Sequence, residues 1–422
     1  MRIRQLLPAL VLAGLSLAEA QSPTVYDALV EAGDMPGLVH VLASDDAPLE
    51  GRDWAGAIAR LTLGAEASDA EQVGAWMEEA TGLNPDQERQ VFEALADRAF
   101  LETRYSDAVD ALDHVLALTQ DEAERAEITR VQAFDRVAGP VPPISVAGAS
   151  GASLAVTRDM ADQMRIDVGL GGTAPVPMLV DTGAEISVIM DRHARAAGLR
   201  FLEGEVQVGT VTEDVTGRLA VADQLDLGGV LVRNVVFLVL PDDELVFADG
   251  AYEVDGILGL QVYAAIGRIG WSERSTRLSF GDAIPALDAA SARLYRHQDG
   301  LGLEVMLGMQ PAPAFFDSGA SRTIFRPGLL THLDEAEQAR LVQSERTRTG
   351  LGGAESIATR QLDTLMLGVG GAELVYIDLT IDPPEEDQPS GDIAAIGNDL
   401  IRSADQVTLD FQAMRYRVVL AD

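Results

Sequence analysis

The stretch VPMLVDTGAEISVIM, Val176 to Met190, places the triplet Asp-Thr-Gly between two apolar runs. Asp181 therefore directly follows a segment that the pattern predicts to be a buried strand. A carboxylate buried without a partner is strongly disfavoured. Another part of the chain must supply the group that makes Asp181 tolerable, and the position of that group indicates the fold.

A second copy of the motif lies 136 residues later, in PAFFDSGASRTIF, where Asp317-Ser318-Gly319-Ala320 matches Asp181-Thr182-Gly183-Ala184. Further segments match in the same order: LDLGGVLVRNVVFLV with LMLGVGGAELVYIDL, VDGILGL with IAAIGND, and RIGWSERSTRLSF with QVTLDFQAMRYRVV. Two apolar residues and a glycine, ending at Gly259 and Gly397, follow the two aspartates by 78 and 80 residues. We infer an internal duplication of roughly 120 residues in which each copy supplies one Asp.

The doubled motif resembles those of the retropepsin-like and pepsin-like aspartic proteases, over about residues 153–422. The repeat length is closer to the retroviral type, which dimerises, so the chain looks like two retropepsin-type repeats in tandem. The resemblance implies a mainly β fold with two pseudo-symmetric β-barrel lobes, at residues 154–285 and 293–422. It also implies that Asp181 and Asp317 are catalytic, and that Gly259 and Gly397 pack behind the aspartate loops.

Two carboxyl groups that share one proton can carry out peptide hydrolysis without a metal or a covalent intermediate. One carboxyl takes a proton from water and the other gives one to the carbonyl oxygen. Like charges this close cannot both ionise comfortably, and aspartic proteases are the standard example of the arrangement. The hydroxyls of Thr182 and Ser318 can brace the two loops, and Gly183 and Gly319 can offer backbone amides to the carboxylates.

Each repeat is expected to carry a hairpin that closes over the substrate. The candidates are VGTVTEDVTGRL, at residues 208–219, and RTGLGGAESIA, at residues 348–358. The second resembles the glycine-rich flap tips of retropepsins, whereas the first has Glu213 and Asp214 near its tip and lacks the flap tyrosine of pepsins. Plain surface hairpins are the alternative. The candidate flap residues are Val211, Thr212, Gly350, Gly352 and Gly353.

Residues 23–138 are rich in Ala, Glu and Leu, with apolar residues at steps of three and four, which predicts helices. The segment ERQVFEALADRAFLETRYSDAVDALDHVLAL resembles one tetratricopeptide unit. A generic helical bundle is the alternative. The Pro- and Gly-rich segment GPVPPISVAGASGAS, residues 139–153, is predicted to be a linker, so the helical and β parts are expected to be separable.

Composition excludes several classes of function. The 31 basic residues, all Arg, face 67 acidic residues, and the formal net charge of −36 argues against nucleic acid as a partner. There is no cysteine, so neither disulfides nor thiol chemistry are available. The five histidines do not show metal-motif spacing and are interpreted as structural. We expect no metal and no cofactor.

The first residues have the pattern of a secretory signal peptide. Arg2 and Arg4 precede an apolar run at residues 6–17, and Ala18-Glu19-Ala20 follows it. The run is shorter than the ~20 apolar residues of a membrane span. We predict a signal peptide at residues 1–20, a mature chain from Gln21, and a periplasmic or secreted protein. The intact mass of protein from the cell envelope checks this, and a retained Met1 would contradict it.

These observations predict an exported aspartic endopeptidase, a monomer with an internal pseudo-dimer, that cleaves an extended polypeptide. The helical region could be a pro-segment, a regulator or an adaptor for a protein partner, and no stable membrane span is expected after signal removal. Two alternatives remain. One is a peptide-binding scaffold of the same fold without catalysis, and the other is an envelope interaction protein that acts through its helical region.

Overall fold

The N-terminal part of the chain is helical, as predicted. The computed structural model describes residues 24–66, 68–172, 174–209, 214–247, 250–297, 300–350, 353–383 and 391–421. The predicted signal peptide lies outside these residues. The helices before the first strand are α1 (Val25–Glu31), α2 (Met35–Leu42), α3 (Arg52–Leu63), α4 (Ser68–Glu79), α5 (Pro85–Leu101), α6 (Tyr105–Leu118) and α7 (Glu122–Ala138).

Local capping explains where several of these helices begin. Thr24 and Asn84 form capping boxes at the starts of α1 and α5, and Pro85 occupies the first position of α5. Helices α5 and α6 cover the predicted tetratricopeptide-like unit. The positions at which such a unit would make contacts are buried or partly buried: Phe92, Leu95, Ala96, Ala99, Tyr105, Ala108, Leu112 and Val115. The helical pattern is therefore confirmed, while the tetratricopeptide resemblance stays a prediction.

The remainder of the chain is mainly β, which confirms the predicted fold class. Apolar runs such as VVFLVL, residues 235–240, are buried along their whole length, as expected for strands covered on both faces. Up to residue 281 the elements are β1 (Ser145–Gly148), β2 (Gly151–Ala155), β3 (Thr157–Arg158), β4 (Met164–Leu170), β5 (Val176–Val180), β6 (Ser187–Met190), α8 (Asp191–Ala196), β7 (Arg200–Gly209), β8 (Asp214–Ala222), β9 (Leu225–Leu227), β10 (Val230–Arg233), β11 (Val235–Leu240), a 3₁₀ helix (Asp242–Leu245), β12 (Val246–Phe247), β13 (Tyr252–Glu253), β14 (Gly256–Leu258), α9 (Leu260–Ile266), β15 (Arg268–Ser272) and β16 (Arg277–Gly281).

After residue 281, strands and helices follow in a similar order. The elements are β17 (Ala292–His297), β18 (Gly300–Leu307), β19 (Gln310–Phe316), β20 (Ile324–Phe325), α10 (Leu329–His332), α11 (Glu335–Gln338), β21 (Val342–Gly350), β22 (Gly353–Val369), β23 (Ala372–Ile381), β24 (Ala394–Ile396), α12 (Asn398–Ser403), β25 (Ala404–Asp410) and β26 (Arg415–Leu420).

The strands around the two Asp-containing loops pair in the same way. In the first half, β14 is parallel to β5 and antiparallel to β6, so that Ile257 faces Leu179 and Val188. In the second half, β24 is parallel to β19 and antiparallel to β20, so that Ala395 faces Phe315 and Ile324. Each aspartate therefore directly follows a strand, and the parallel neighbour of that strand carries the two apolar residues that precede Gly259 or Gly397.

One sheet contains strands from both halves. Its order begins β2-β16-β15-β25-β26-β17, and β15 pairs antiparallel with β25 from Arg268 opposite Asp410 to Ser272 opposite Gln406. The β15–β16 and β25–β26 hairpins are the segments that match in the sequence. The two halves are therefore joined by backbone hydrogen bonds as well as by side-chain packing.

Residues 139–153, predicted to be a linker, carry β1 and the start of β2 instead. Strand β1 pairs with β10 and β2 pairs with β16, so this segment belongs to both large sheets. A continuous apolar cluster also joins Phe100, Tyr105 and Phe134 of the helical region to Val188 and Leu238 of the sheets. The helical region thus shares a core with the β part, which argues against the expectation that the two parts are separable. The domain boundaries themselves stay a prediction.

Among the helices in the described part of the chain, none is long and apolar enough to cross a membrane.

Candidate active site

The loop after β5 holds the carboxylate of Asp181. The backbone N–H of Asp181 donates to the carbonyl of Leu258 in β14 at 3.3 Å. Its Oδ1 accepts hydrogen bonds from the backbone N–H groups of Gly183 at 2.9 Å and Ala184 at 3.2 Å. The turn that follows the strand therefore fixes the orientation of this carboxylate.

The loop after β19 repeats this arrangement around Asp317. Its backbone N–H donates to Ile396 in β24 at 2.9 Å. Its Oδ1 accepts hydrogen bonds from the N–H groups of Gly319 at 2.8 Å and Ala320 at 3.0 Å. The two loops thus use equivalent residues for the same purpose.

Reciprocal hydrogen bonds lock the two loops together. The Thr182 hydroxyl accepts from the N–H of Ser318 at 2.9 Å and donates to the carbonyl of Phe316 at 3.2 Å. The Ser318 hydroxyl accepts from the N–H of Thr182 at 3.0 Å and donates to the carbonyl of Val180 at 2.9 Å. Both side chains are fully buried, so removal of either hydroxyl would leave buried polar groups unpaired. The two hydroxyls thus connect the two loops.

Each carboxyl group lies against the other loop. A Cβ atom built on Gly183 would lie 2.5 Å from Cγ and Oδ1 of Asp317, and one built on Gly319 would lie 2.5 Å from the same atoms of Asp181. Only glycine leaves room for these approaches. The structure therefore brings together Asp181 and Asp317, which are distant in sequence.

This environment favours the protonated form of one carboxyl group. Burial, and secondarily the negative charge of Asp181, raise the pKa of Asp317 to about 7. Hydrogen bonds from Gly319 and Ala320 act in the opposite direction by favouring the ionised form. At neutral pH the pair can therefore hold a proton that an ordinary aspartate would have released.

The apolar-Gly segments pack directly behind the loops. A Cβ on Gly259 would lie 2.5 Å from the backbone carbon of Ile186, and one on Gly397 would lie 2.5 Å from that of Arg322. The position expected from the resemblance is thus the observed one. Neither glycine has a positive φ, so close approach rather than backbone conformation requires glycine here.

Two supporting residues were missed in the sequence. The Ser187 hydroxyl accepts from the N–H of Gly259 at 3.1 Å, and the Thr323 hydroxyl accepts from the N–H of Gly397 at 3.3 Å. Both lie six residues after the aspartate of their own repeat. That shared spacing of a hydroxyl residue was a signal available from the sequence.

The two candidate flaps are hairpins in the structure. Strands β7 and β8 pair up to Gly209 opposite Asp214, and β21 and β22 pair up to Gly350 opposite Gly353. Val211, Thr212 and Gly352 lie outside the described residues. Closure over a substrate stays a prediction.

No group of three or more His, Cys, Asp or Glu side chains suited to a metal ion occurs among the described residues. Two of the histidines interact with carboxylates. Nε2 of His193 lies 2.7 Å from Oδ1 of Asp255, and Nε2 of His297 lies 3.0 Å from Oδ2 of Asp392.

One comparison with known proteins, the match to a family model, points to the same chemistry. The family model described as "Aspartyl protease" matches residues 164–262, which include Asp181 and Gly259. A solved structure of a retropepsin-like aspartic protease from Rickettsia conorii is similar at 15% identity and a TM-score of 0.21, over 32% of this chain and 90% of that chain. No curated protein matches the sequence. The family match supports an aspartic protease.

Proposed function

We propose that this protein is an exported aspartic endopeptidase whose two retropepsin-type repeats each supply one carboxyl group to a shared active site. The observation that carries the proposal is the reciprocal approach of Asp181 and Asp317, each against the glycine of the other loop. The family match at residues 164–262 supports the reaction class, and the duplicated sequence extends it to the second half.

The proposed mechanism needs one proton on the pair. The ionised carboxyl takes a proton from water as the water oxygen bonds to the carbonyl carbon of the substrate. The protonated carboxyl gives its proton to the carbonyl oxygen, which produces a neutral tetrahedral diol. The carboxyl that took the proton from water then passes it to the amide nitrogen, while the other carboxylate takes a proton from one hydroxyl of the diol. The C–N bond breaks, the products are a carboxylic acid and an amine, and the pair again holds one proton. The raised pKa of Asp317 supports its role as the group that holds the proton in the resting pair.

The loops meet the geometric demand of this mechanism. Proton transfer at both ends of a water molecule requires two carboxyl groups in fixed relative positions. The Thr182 and Ser318 hydroxyls supply that constraint between the loops, and four backbone N–H groups supply it within them. The hairpins β7–β8 and β21–β22 are proposed to cover an extended polypeptide substrate.

The proposal is tested by incubating the purified protein with a peptide library. A statine-containing peptide should inhibit cleavage, because its hydroxyl resembles the tetrahedral state. Chelators and reagents directed at serine or cysteine should have no effect. Activity should fall as the pH rises through about 7, because Asp317 loses its proton there.

Three outcomes would contradict this proposal. Binding of peptides without cleavage would favour an inactive scaffold. Cleavage blocked by a chelator would exclude the carboxyl pair as the sole source of catalysis. Full activity well above pH 7, with no alkaline limb, would show that no proton on Asp317 is required.

A further inference from the structure

The helical region forms hydrogen bonds with a buried glutamine next to the candidate active site. Gln261, the second residue of α9, is only 2% exposed. Its side-chain oxygen accepts a hydrogen bond from the Tyr105 hydroxyl at 3.0 Å, and its side-chain nitrogen donates to the carbonyl of Phe100 at 2.6 Å. Both partners belong to the helical region, at the end of α5 and the start of α6. The glutamine amide is thus held from both sides by residues outside the β fold.

The first turn of α9 is in turn bonded to the Asp181 loop. The N–H of Gln261 donates to the carbonyl of Glu185 at 3.2 Å, and the N–H of Leu260 donates to the carbonyl of Ala184 at 2.8 Å. The N–H of Ala184 donates to the Asp181 carboxylate. A continuous path of hydrogen bonds therefore connects Tyr105 to the carboxylate of Asp181.

The second repeat uses the equivalent position differently. Asp399 is the second residue of α12, and it accepts a hydrogen bond from the Thr323 hydroxyl of its own repeat at 2.9 Å. The backbone bond is retained, since the N–H of Asn398 donates to the carbonyl of Ala320 at 2.8 Å. At this position of α9 and α12, the described side-chain hydrogen bonds therefore connect the helical region to the Asp181 repeat, whereas Asp399 bonds within its own repeat.

The helical region also contacts the second half of the β fold, at the end of α3 and beside the end of α5. Arg296, in β17, donates to the carbonyls of Gly64 at 2.8 Å and Leu61 at 3.3 Å. It also lies 3.7 Å from the carboxylate of Glu102, which pairs with the buried Arg98 of α5 at 2.9 Å. Arg296 of the second half is thus bonded to the end of α3 and ion-paired with Glu102 beside the end of α5, while Phe100 of α5 binds α9 of the first half. This geometry allows the helical region to determine the relative position of the two halves of the β fold.

We propose that Gln261 is a positioning residue through which the helical region sets the place of the Asp181 carboxyl relative to Asp317. The expected effect on peptide cleavage rests on the proposed function. The effect on the position of the Asp181 loop does not. Because each carboxyl lies against the opposite loop, a small displacement of the Asp181 loop changes how closely the pair approaches. Shifts of about 1 Å at such sites lower rates by up to about 10²-fold.

The experiment compares Tyr105→Phe and Gln261→Leu with a matched control, Tyr26→Phe. Tyr26 and Tyr105 are both almost completely buried, and each hydroxyl makes one hydrogen bond. The Tyr26 hydroxyl donates to Pro48 at 2.9 Å, wholly within the helical region. Loss of that bond tests for general destabilisation of the helices. Tyr105→Phe keeps the ring and its packing, so the test can still be made if Gln261→Leu does not fold.

The first readout is the titration of the Asp317 carboxyl, followed by NMR with 13C-labelled aspartate and assigned with Asp317→Asn. Release of the Asp181 loop would admit water and weaken repulsion within the pair, and both effects lower the pKa of Asp317. We expect a decrease of about 0.5 unit or more in Tyr105→Phe and Gln261→Leu, and none in Tyr26→Phe. The second readout is cleavage of a short peptide, with kcat about tenfold lower and KM little changed.

The two readouts separate failure of the inference from failure of the proposed function. If the wild type does not cleave peptides but the Asp317 titration moves in Tyr105→Phe, the positioning role stands and the proposed function is wrong. An Asp317 titration that is the same in folded Tyr105→Phe and wild type overturns the inference. An equal shift in Tyr26→Phe overturns it as well, since the effect would then come from the helices in general.

Discussion

Asp317→Asn is expected to abolish peptide cleavage, with a loss of about 10³-fold or more. The asparagine oxygen can still accept the hydrogen bonds that Gly319 and Ala320 now donate to Oδ1 of Asp317. The amide fills the same space but cannot hold and release the proton that the reaction requires. Asp181→Asn should be equally damaging, and the double variant no worse than either single one, because the two carboxyls act as a unit. Initial rates on one peptide measure all three variants.

Stability provides the control for this prediction. The folded pKa of Asp317, about 7, lies above the ordinary value of 3.8. Between those values the folded protein keeps a proton that the unfolded chain has released, so the free energy of unfolding falls as pH rises through this window. Asp317→Asn cannot titrate and should lose less stability than the wild type between about pH 4 and 7. Urea unfolding at both ends of the window measures this. Full activity of folded Asp317→Asn would exclude the shared carboxyl pair.

The centre of the site was predictable because the motif occurs twice. A single Asp-Thr-Gly does not identify its partner, but Asp317 repeats Asp181 with the same residue types on either side. The duplication implied that the loops meet, and the bracing by Thr182 and Ser318 followed from the hydroxyl at the second position of both motifs. Local sequence sufficed because each loop stabilises its own carboxylate with amides two and three residues further along the chain.

The attachment of the helical region could not be predicted in this way. Gln261 and Arg296 lie in no motif, and their partners are carbonyls and side chains between 156 and 235 residues away. A backbone carbonyl has no sequence signature, so a contact made to one is invisible before folding. The Pro- and Gly-rich composition of residues 139–153 favoured a linker, but strands at sheet edges accept such residues when a neighbouring strand pairs with them. Tertiary pairing with β10 and β16 decided the outcome.

Gly319→Ala is expected to disrupt the site from the other side of the pair. Gly319 does not have a positive φ, so the backbone itself tolerates alanine. The added Cβ would lie 2.5 Å from Cγ and Oδ1 of Asp181, closer than such atoms can approach. The Asp181 carboxylate cannot simply turn away, because two backbone N–H groups hold that same oxygen. The loops must separate, and we expect cleavage to fall by about 10²-fold or more. Overpacking of this kind should also lower the free energy of unfolding by about 1–3 kcal/mol.

Gly74→Ala is the matched control, because it makes the same chemical change in α4 where an added Cβ meets nothing within 4 Å. Alanine in a helix interior should raise the free energy of unfolding by about 0.5–1 kcal/mol and leave cleavage unchanged. Gly183→Ala should behave like Gly319→Ala, since its Cβ would meet the Asp317 carboxyl at the same distance of 2.5 Å. Peptide cleavage and urea unfolding of the three variants test the argument together. Wild-type cleavage by Gly319→Ala would show that the carboxyl groups need not approach so closely, because a methyl group between Gly319 and Asp181 must push the loops apart.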